Sequence, residues 1–304
     1  RWMSRSANES SRWIDSKEIH SYHPMPSPQN EQPIAIVTGG SAGLGKAIAA
    51  ALLDGGYTVI ITGRNEDRLR SAQSQLQSRD PSPGGGRVEI FRCDVTVEPD
   101  VQSMFESVLQ KHRRLDVLIN NVGTSDRGTI ESLQADRIRE LIDQNVVSTL
   151  LCCRHARAML AITEGVVINI GSLAAKVGAR HLGAYCAAKH ALAGLTQQMR
   201  LEWKSQNIHV GLFNPGPIKR DDAGTRYDAQ AEQDPSLPES ARRPGGGANV
   251  KGLDPDAAAA TVVRMVRKRI PDVIQPGYLR LLIAIGHLSP RLGDWLLLKF
   301  TSKK

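Results

Sequence analysis

Short apolar runs punctuate the chain, separated by longer stretches that repeat at helical spacing. The runs are P-I-A-I-V-T (33–38), Y-T-V-I-I-T (57–62), R-V-E-I-F-R-C (87–93), L-D-V-L-I-N (115–120), V-V-I-N-I-G (166–171), N-I-H-V-G-L-F (207–213) and D-V-I-Q-P (272–276). The first is rich in β-branched residues and lacks polar alternation, which suits a strand covered on both faces. Helical patterns fill the gaps: K-A-I-A-A-A-L-L after Gly45, a polar amphipathic stretch over 65–78, and a long run over about 131–160. An Ala- and Leu-rich stretch follows Gly183, and a capped helix with a basic end opens at Asp254. Strands alternating with helices predict an α/β fold with a parallel sheet between two helical layers.

Size and composition narrow the picture. A chain of 304 residues holds one large α/β domain or two small ones. Hydrophobic content of 40% and charged content of 23% are ordinary for a globular protein. Aromatics make up only 4%, which argues against a base-stacking surface and hence against nucleic acid as a partner. A formal net charge of +8 suits phosphates or an anionic membrane surface and does not choose between them.

The cysteines, Cys93, Cys152, Cys153 and Cys186, form no C-x-x-C pair and predict buried, reduced thiols in a cytoplasmic compartment, with no metal site. No apolar run approaches the roughly 20 residues that span a bilayer. Residues 1–32 are polar, carry Pro24, Pro26 and Pro28, and lack the apolar core of a signal peptide, so a disordered extension is expected.

The chemistry is carried by two stretches. Between the first run and its helix lies Gly39-Gly40-Ser41-Ala42-Gly43-Leu44-Gly45. Strand, glycine turn and helix together aim backbone N–H groups and a helix N-terminus at a phosphate. Glycine is needed there because a Cβ would hold a pyrophosphate off the backbone. The second stretch holds Tyr185 and Lys189, four residues apart at the start of a predicted helix and therefore on one face. An ammonium beside a phenol favours the phenolate, and a tyrosine tuned that way can pass a proton near neutral pH. On its own, Tyr-x-x-x-Lys is more often a surface tyrosine packed on a lysine stem. Ser172 ends the fifth apolar run and is placed to face Tyr185 across a crevice.

Thr38 with the G-x-x-x-G-x-G spacing, together with Ser172, Tyr185 and Lys189, resembles the short-chain dehydrogenase/reductase family over roughly residues 33–275. The resemblance implies a single Rossmann-type domain with a doubly wound, parallel, seven-stranded sheet in a three-layer α/β/α arrangement. It implies NADP(H)- or NAD(H)-dependent interconversion of a small-molecule carbonyl and a secondary alcohol, with Tyr185 as acid/base and Ser172 binding the reacting oxygen. Lys189 would anchor the nicotinamide ribose, and Asn145 would complete a proton path. The cofactor would contact Gly39, Ser41, Gly43, Leu44 and Gly45, then Asp94 and Val95 at the adenine. Asn121 and Gly123, in Asn-Asn-Val-Gly, and Pro215, Gly216 and Ile218, in Pro-Gly-Pro-Ile, would complete that site. Asp94 is also a candidate helix N-cap, a role compatible with the adenine contact. After the second strand Arg64 stands where NAD-binding folds place an acid, which favours a 2′-phosphate and thus NADP(H) over NAD(H). Arg220 replaces the family's usual threonine.

Beyond that core, residues 219–252 are charged, rich in Pro and Gly and aperiodic, as befits a substrate lid. Residues 276–304 form an amphipathic helical extension in which bulky aliphatics alternate with basic residues. Two readings stay open for it: a wall closing the pocket or joining the subunits of the homo-oligomer that the resemblance implies, or a segment docking on anionic lipid. A catalytically silent NADP(H) sensor or scaffold is the alternative to an enzyme. A sugar-nucleotide epimerase would share Tyr-x-x-x-Lys but carries a different glycine spacing.

Overall fold

The structure, a computed structural model, describes residues 32–79, 87–219, 237–242 and 250–301. The expected N-terminal extension, most of the expected lid and Arg220 lie outside the described residues. Each apolar run becomes a strand: β1 Ile34–Thr38, β2 Thr58–Gly63, β3 Val88–Arg92, β4 Val117–Asn120, β5 Val166–Ile170, β6 His209–Pro215 and β7 Asp272–Gln275. They pair in the order β3-β2-β1-β4-β5-β6-β7, parallel throughout. The order reverses between β1 and β4, which opens a crevice at the carboxyl ends of those strands.

The helices are α1 Gly43–Leu53, α2 Glu66–Gln77, α3 Glu98–His112, α4 Ala135–Ile142, α5 Ser148–Ile162, α6 Tyr185–Glu202, α7 Pro255–Lys268, α8 Leu279–Leu288 and α9 Pro290–Thr301. Alternate residues of β1 serve different cores, as a two-residue period requires. Ala35 and Val37 pack with Leu52 of α1, Leu69 of α2 and Val262 of α7. Ile34 and Ile36 pack with Met104 of α3, Cys153 of α5 and Met199 of α6. Three layers result, with the sheet between them.

The structure corrects three local expectations, for the 131–160 run, for Asp94 and for the burial of Cys186. The long run over 131–160 is not one helix: α4 passes into a π-helical turn at Asp143–Val147 before α5 begins. Asp94 does not cap α3, whose N-cap is Val97; its carboxylate instead accepts from the backbone N and hydroxyl of Thr96, at 3.0 and 2.7 Å. α3 itself carries no expectation above, although Val101, Met104, Phe105 and Val108 are buried at helical spacing. Among the described residues no helix is long and apolar enough to cross a membrane. All four cysteines are free thiols, and Cys186 is partly exposed.

Candidate active site

A cleft of about 830 Å³ opens at the carboxyl ends of the central strands. It is lined by Leu44 from α1, Asn121 after β4, Ser172 after β5, Tyr185 and Lys189 from α6, and Gly216 after β6.

The β1–α1 turn is shaped by close backbone approach. Gly39 has φ +64° and Gly43 φ +52°, a region that favours glycine. A Cβ on Gly45 would stand 2.3 Å from the Gly39 carbonyl oxygen, so that position admits no side chain. Asn121 holds the turn from the neighbouring strand. Its Nδ2 donates to the Thr38 and Gly39 carbonyls at 3.0 and 3.3 Å, while its backbone N donates to Thr38 Oγ1 at 2.9 Å. No side chain caps α1, and its first turn carries no acid. Its leading N–H groups therefore suit an anion. A turn that only glycine fits, against an uncapped helix, suits a dinucleotide pyrophosphate.

The adenosine side is more open. A Cβ on Gly63 would lie 3.7 Å from Ser41 Oγ, which puts that hydroxyl beside the end of β2. Arg64 follows, with 79% of its side chain exposed and a 3.9 Å ion pair to Asp94. So exposed a pair holds the guanidinium loosely. Val95 is buried beneath.

The reactive half is built around Lys189, which is 4% exposed. Its Nζ donates to the Ile170 carbonyl at 3.0 Å and lies 5.7 Å from the centroid of the Tyr185 ring. Burial pushes its pKa down to about 8. Ser172 leaves β5 in extended conformation and its Oγ accepts from Ala174 N at 3.2 Å, starting a short 3₁₀ turn. Asn145 sits fully buried in the π-helical turn. Its Nδ2 donates to the Leu141 and Thr124 carbonyls at 2.9 and 3.1 Å, and its Oδ1 has no protein partner. A Cβ on Gly123 would lie 2.6 Å from that Oδ1 and 3.2 Å from Lys189 Nζ. Gly123, Asn145 and Lys189 thus converge, although 66 residues of chain separate the first from the last.

Two residues without a sequence signal hold this arrangement. Asp126 is 3% exposed, and its Oδ2 accepts from the backbone N of Ala184, the residue that opens α6. Arg137 donates to its Oδ1 through Nε and Nη2, both at 3.0 Å. A carboxylate at a helix N-terminus opposes the helix dipole favourably. Arg127, 6% exposed, donates from Nε to the Ala241 carbonyl at 2.6 Å and from Nη1 to Ser125 Oγ at 2.9 Å.

On the opposite side, Pro215, Gly216 and Ile218 line the cleft. Leu253 N donates to Pro217 O at 2.7 Å and Lys219 N to Leu253 O at 2.8 Å, a pairing that leaves out Ile218's own peptide groups. The remaining wall comes from the C-terminal extension, through Leu279, Leu282, Ile283, Leu296 and Leu297.

Residues 33–231 match the family model described as short chain dehydrogenase. A 3beta-hydroxysteroid dehydrogenase of Mediterraneibacter gnavus is 32% identical over 186 residues, which span 61% of this chain and 66% of that protein. Among solved structures, a short-chain dehydrogenase from Streptomyces avermitilis gives a TM-score of 0.69 at 24% identity, covering 89% of this chain and 97% of that one. A metagenomic short-chain oxidoreductase in complex with NADP gives 0.63 at 26% identity, covering 80% and 96%.

Proposed function

Because this chain belongs to the short-chain dehydrogenase family of oxidoreductases acting on CH–OH donors, we propose that it interconverts a lipophilic carbonyl compound and its secondary alcohol with NADP(H), using Tyr185 as acid/base. The observation that carries this reading is the buried Lys189 ammonium beside the Tyr185 ring, in one cleft with Ser172. A cation so placed stabilises negative charge developing on the phenol oxygen when its proton leaves. Ser172 Oγ hydrogen-bonds the substrate oxygen and stabilises charge there. Asn145, with a buried Oδ1 free of protein partners, lies where a proton path from Lys189 would run.

The nicotinamide, when bound, supplies or accepts the hydride. The glycine turn, Asn121, Gly123, Pro215, Gly216 and Ile218 hold the dinucleotide. Ser41 and Arg64 take the 2′-phosphate of NADP, and Asp94 with Val95 borders the adenine. The NADP complex of the metagenomic relative supports this choice. The apolar wall of the cleft favours a substrate with a large hydrocarbon portion.

NADPH oxidation over a panel of steroid, fatty-acyl, sugar and quinone carbonyls tests the activity. Tyr185→Phe is expected to lower turnover by about a hundredfold or more while NADPH still binds. Undiminished turnover in that variant would refute the assignment and leave the catalytically silent alternative. Arg64→Ala is expected to weaken NADPH binding about tenfold and leave NADH unchanged. A wild-type preference for NADH overturns the NADP(H) assignment.

A further inference from the structure

The C-terminal extension presents two apolar faces, only one of which the cleft uses. On α8 the cleft-lining residues Leu279, Leu282, Ile283 and Gly286 follow the spacing of one helical face. On α9 the same side carries Pro290, Gly293, Leu296 and Leu297. The helices close tightly on each other, since a Cβ on Gly293 would stand 2.8 Å from Gly286 Cα. His287 Nε2 lies 2.7 Å from the Lys176 carbonyl and ties the hairpin to the loop after β5.

Away from the cleft the hairpin exposes Leu281 at 67%, Leu288 at 87%, Trp295 at 55% and Leu298 at 50%. Arg280 and Arg291 are exposed beside them, and Lys299 Nζ sits 4.9 Å from the centroid of the Trp295 ring. The only acid between residues 276 and 304 is Asp294, and it lines the cleft. Leu281 and Leu288 share one face of α8, and Trp295 and Leu298 one face of α9, and exposed apolar faces of this kind mark a contact surface.

We infer that this outer face docks on an anionic bilayer, so that the hairpin which walls the active site also brings lipophilic substrate to it from the membrane. The inference rests on the reading of the cleft as a carbonyl reductase site. Charge decides the occupant. A second copy related by two-fold symmetry would set the same cations against each other. An anionic lipid surface offers the complementary charge, and an indole with flanking cations belongs at its headgroup level. At 10 and 12 residues α8 and α9 are each too short to span, so the contact of this hairpin is interfacial. The two readings open for the sequence are therefore opposite faces of one element.

The test is flotation of the full chain with phosphatidylcholine vesicles, with and without phosphatidylglycerol, while NADPH oxidation is followed with a long-chain ketone dissolved in the bilayer and with a short water-soluble diketone. Wild type is expected to float with anionic vesicles, to be released by high salt, and to turn over the bilayer ketone faster when bound. The double variant Leu288→Glu/Trp295→Glu should float about tenfold less or worse and keep its NADPH affinity and its rate on the soluble diketone. Arg280→Glu/Arg291→Glu, which leaves the apolar face intact, should lose about fivefold per charge. Absence of flotation on anionic vesicles overturns the inference, as does equal flotation on neutral ones. So does sedimentation showing that Leu288→Glu/Trp295→Glu splits a dimer, which would make the face a self-association surface. Absence of turnover on every carbonyl, with flotation intact, would instead overturn the enzymatic reading.

Discussion

Replacing Lys189 by methionine is expected to stabilise the protein while abolishing turnover. Burial alone pushes this ammonium from 10.5 down to about 8. One pH unit of displacement corresponds to about 1.4 kcal/mol, so holding the proton at neutral pH costs the native state about 3 kcal/mol. The sign follows from linkage. Between about pH 8 and 10.5 the unfolded chain keeps a proton that the native state has released, and stability rises with pH across that window. Below about pH 8 both states are protonated and the cost is present in full. Methionine fills a similar volume without charge, but it leaves the Ile170 carbonyl without the donor that now lies at 3.0 Å. That loss costs about 1 kcal/mol, leaving a net gain of about 2 kcal/mol, or about 4–8 °C in Tm for a domain of this size. Thermal and guanidinium unfolding of ligand-free wild type and Lys189→Met, at about pH 7 and about pH 9.5, would measure it. The gap between the two proteins should shrink by about 2 kcal/mol at the higher pH as the wild type sheds its buried charge. A variant less stable than wild type near pH 7, or a gap that ignores pH, would refute the claim that desolvation governs this lysine.

The same displacement predicts that kcat/KM for carbonyl reduction falls as pH rises past about 8, where Lys189 loses its proton; a profile flat to about pH 10 would contradict it. Gly123→Ala should lower kcat by about tenfold or more, because its methyl group would stand 2.6 Å from Asn145 Oδ1 and force apart the groups that meet there; unchanged kinetics would show that they shift without consequence. Asp126→Asn should destabilise by about 2 kcal/mol, discounted for the partial exposure of Arg137, and should lower kcat with little change in KM, read by thermal melts and steady-state rates.

The sheet was legible because its central strands are buried on both faces and read as continuous apolar runs, whereas the edge strands β3 and β7, with Glu89, Arg92, Asp272 and Gln275, show themselves mainly by their place in the alternation with helices. The glycine turn was legible for a steric reason that Gly45 makes explicit. Asn145 was recognisable only through resemblance to the family. Its local sequence, D-Q-N-V-V, gives no sign of the π-helical turn that sets it against Gly123 and Lys189. Asp126 and Arg127 carried no signal, since a charged dipeptide between two elements ordinarily reads as a solvated loop. Their burial depends on Ala184, Arg137 and Ala241, whose proximity only the tertiary fold decides. The C-terminal extension stayed open for a different reason: its dense aliphatics support two apolar stripes, and a pattern of one residue in two or three cannot say which stripe meets the cleft.

That buried dipeptide also explains how a site drawn from separate elements keeps one geometry. Ser172 follows a strand, Tyr185 and Lys189 belong to a helix, and Asn145 sits in a π-helical turn, so the angle at which α6 enters sets the register among them. Asp126 fixes that entry by taking the Ala184 N–H, and a Cβ on Gly183 would stand 2.4 Å from the same carboxylate, so the approach leaves no room for a side chain. The adjacent Arg127 spends its Nε on Ala241, within the only stretch of the expected lid described between residues 220 and 249. Releasing that carbonyl costs the buried Nε its bond until water replaces it, about 1–3 kcal/mol. Displacing residues 237–242 must therefore either break this bond or pull on Arg127, the neighbour of the residue that orients the tyrosine helix. Residues 237–242 and the base of α6 are in this way linked through two consecutive side chains.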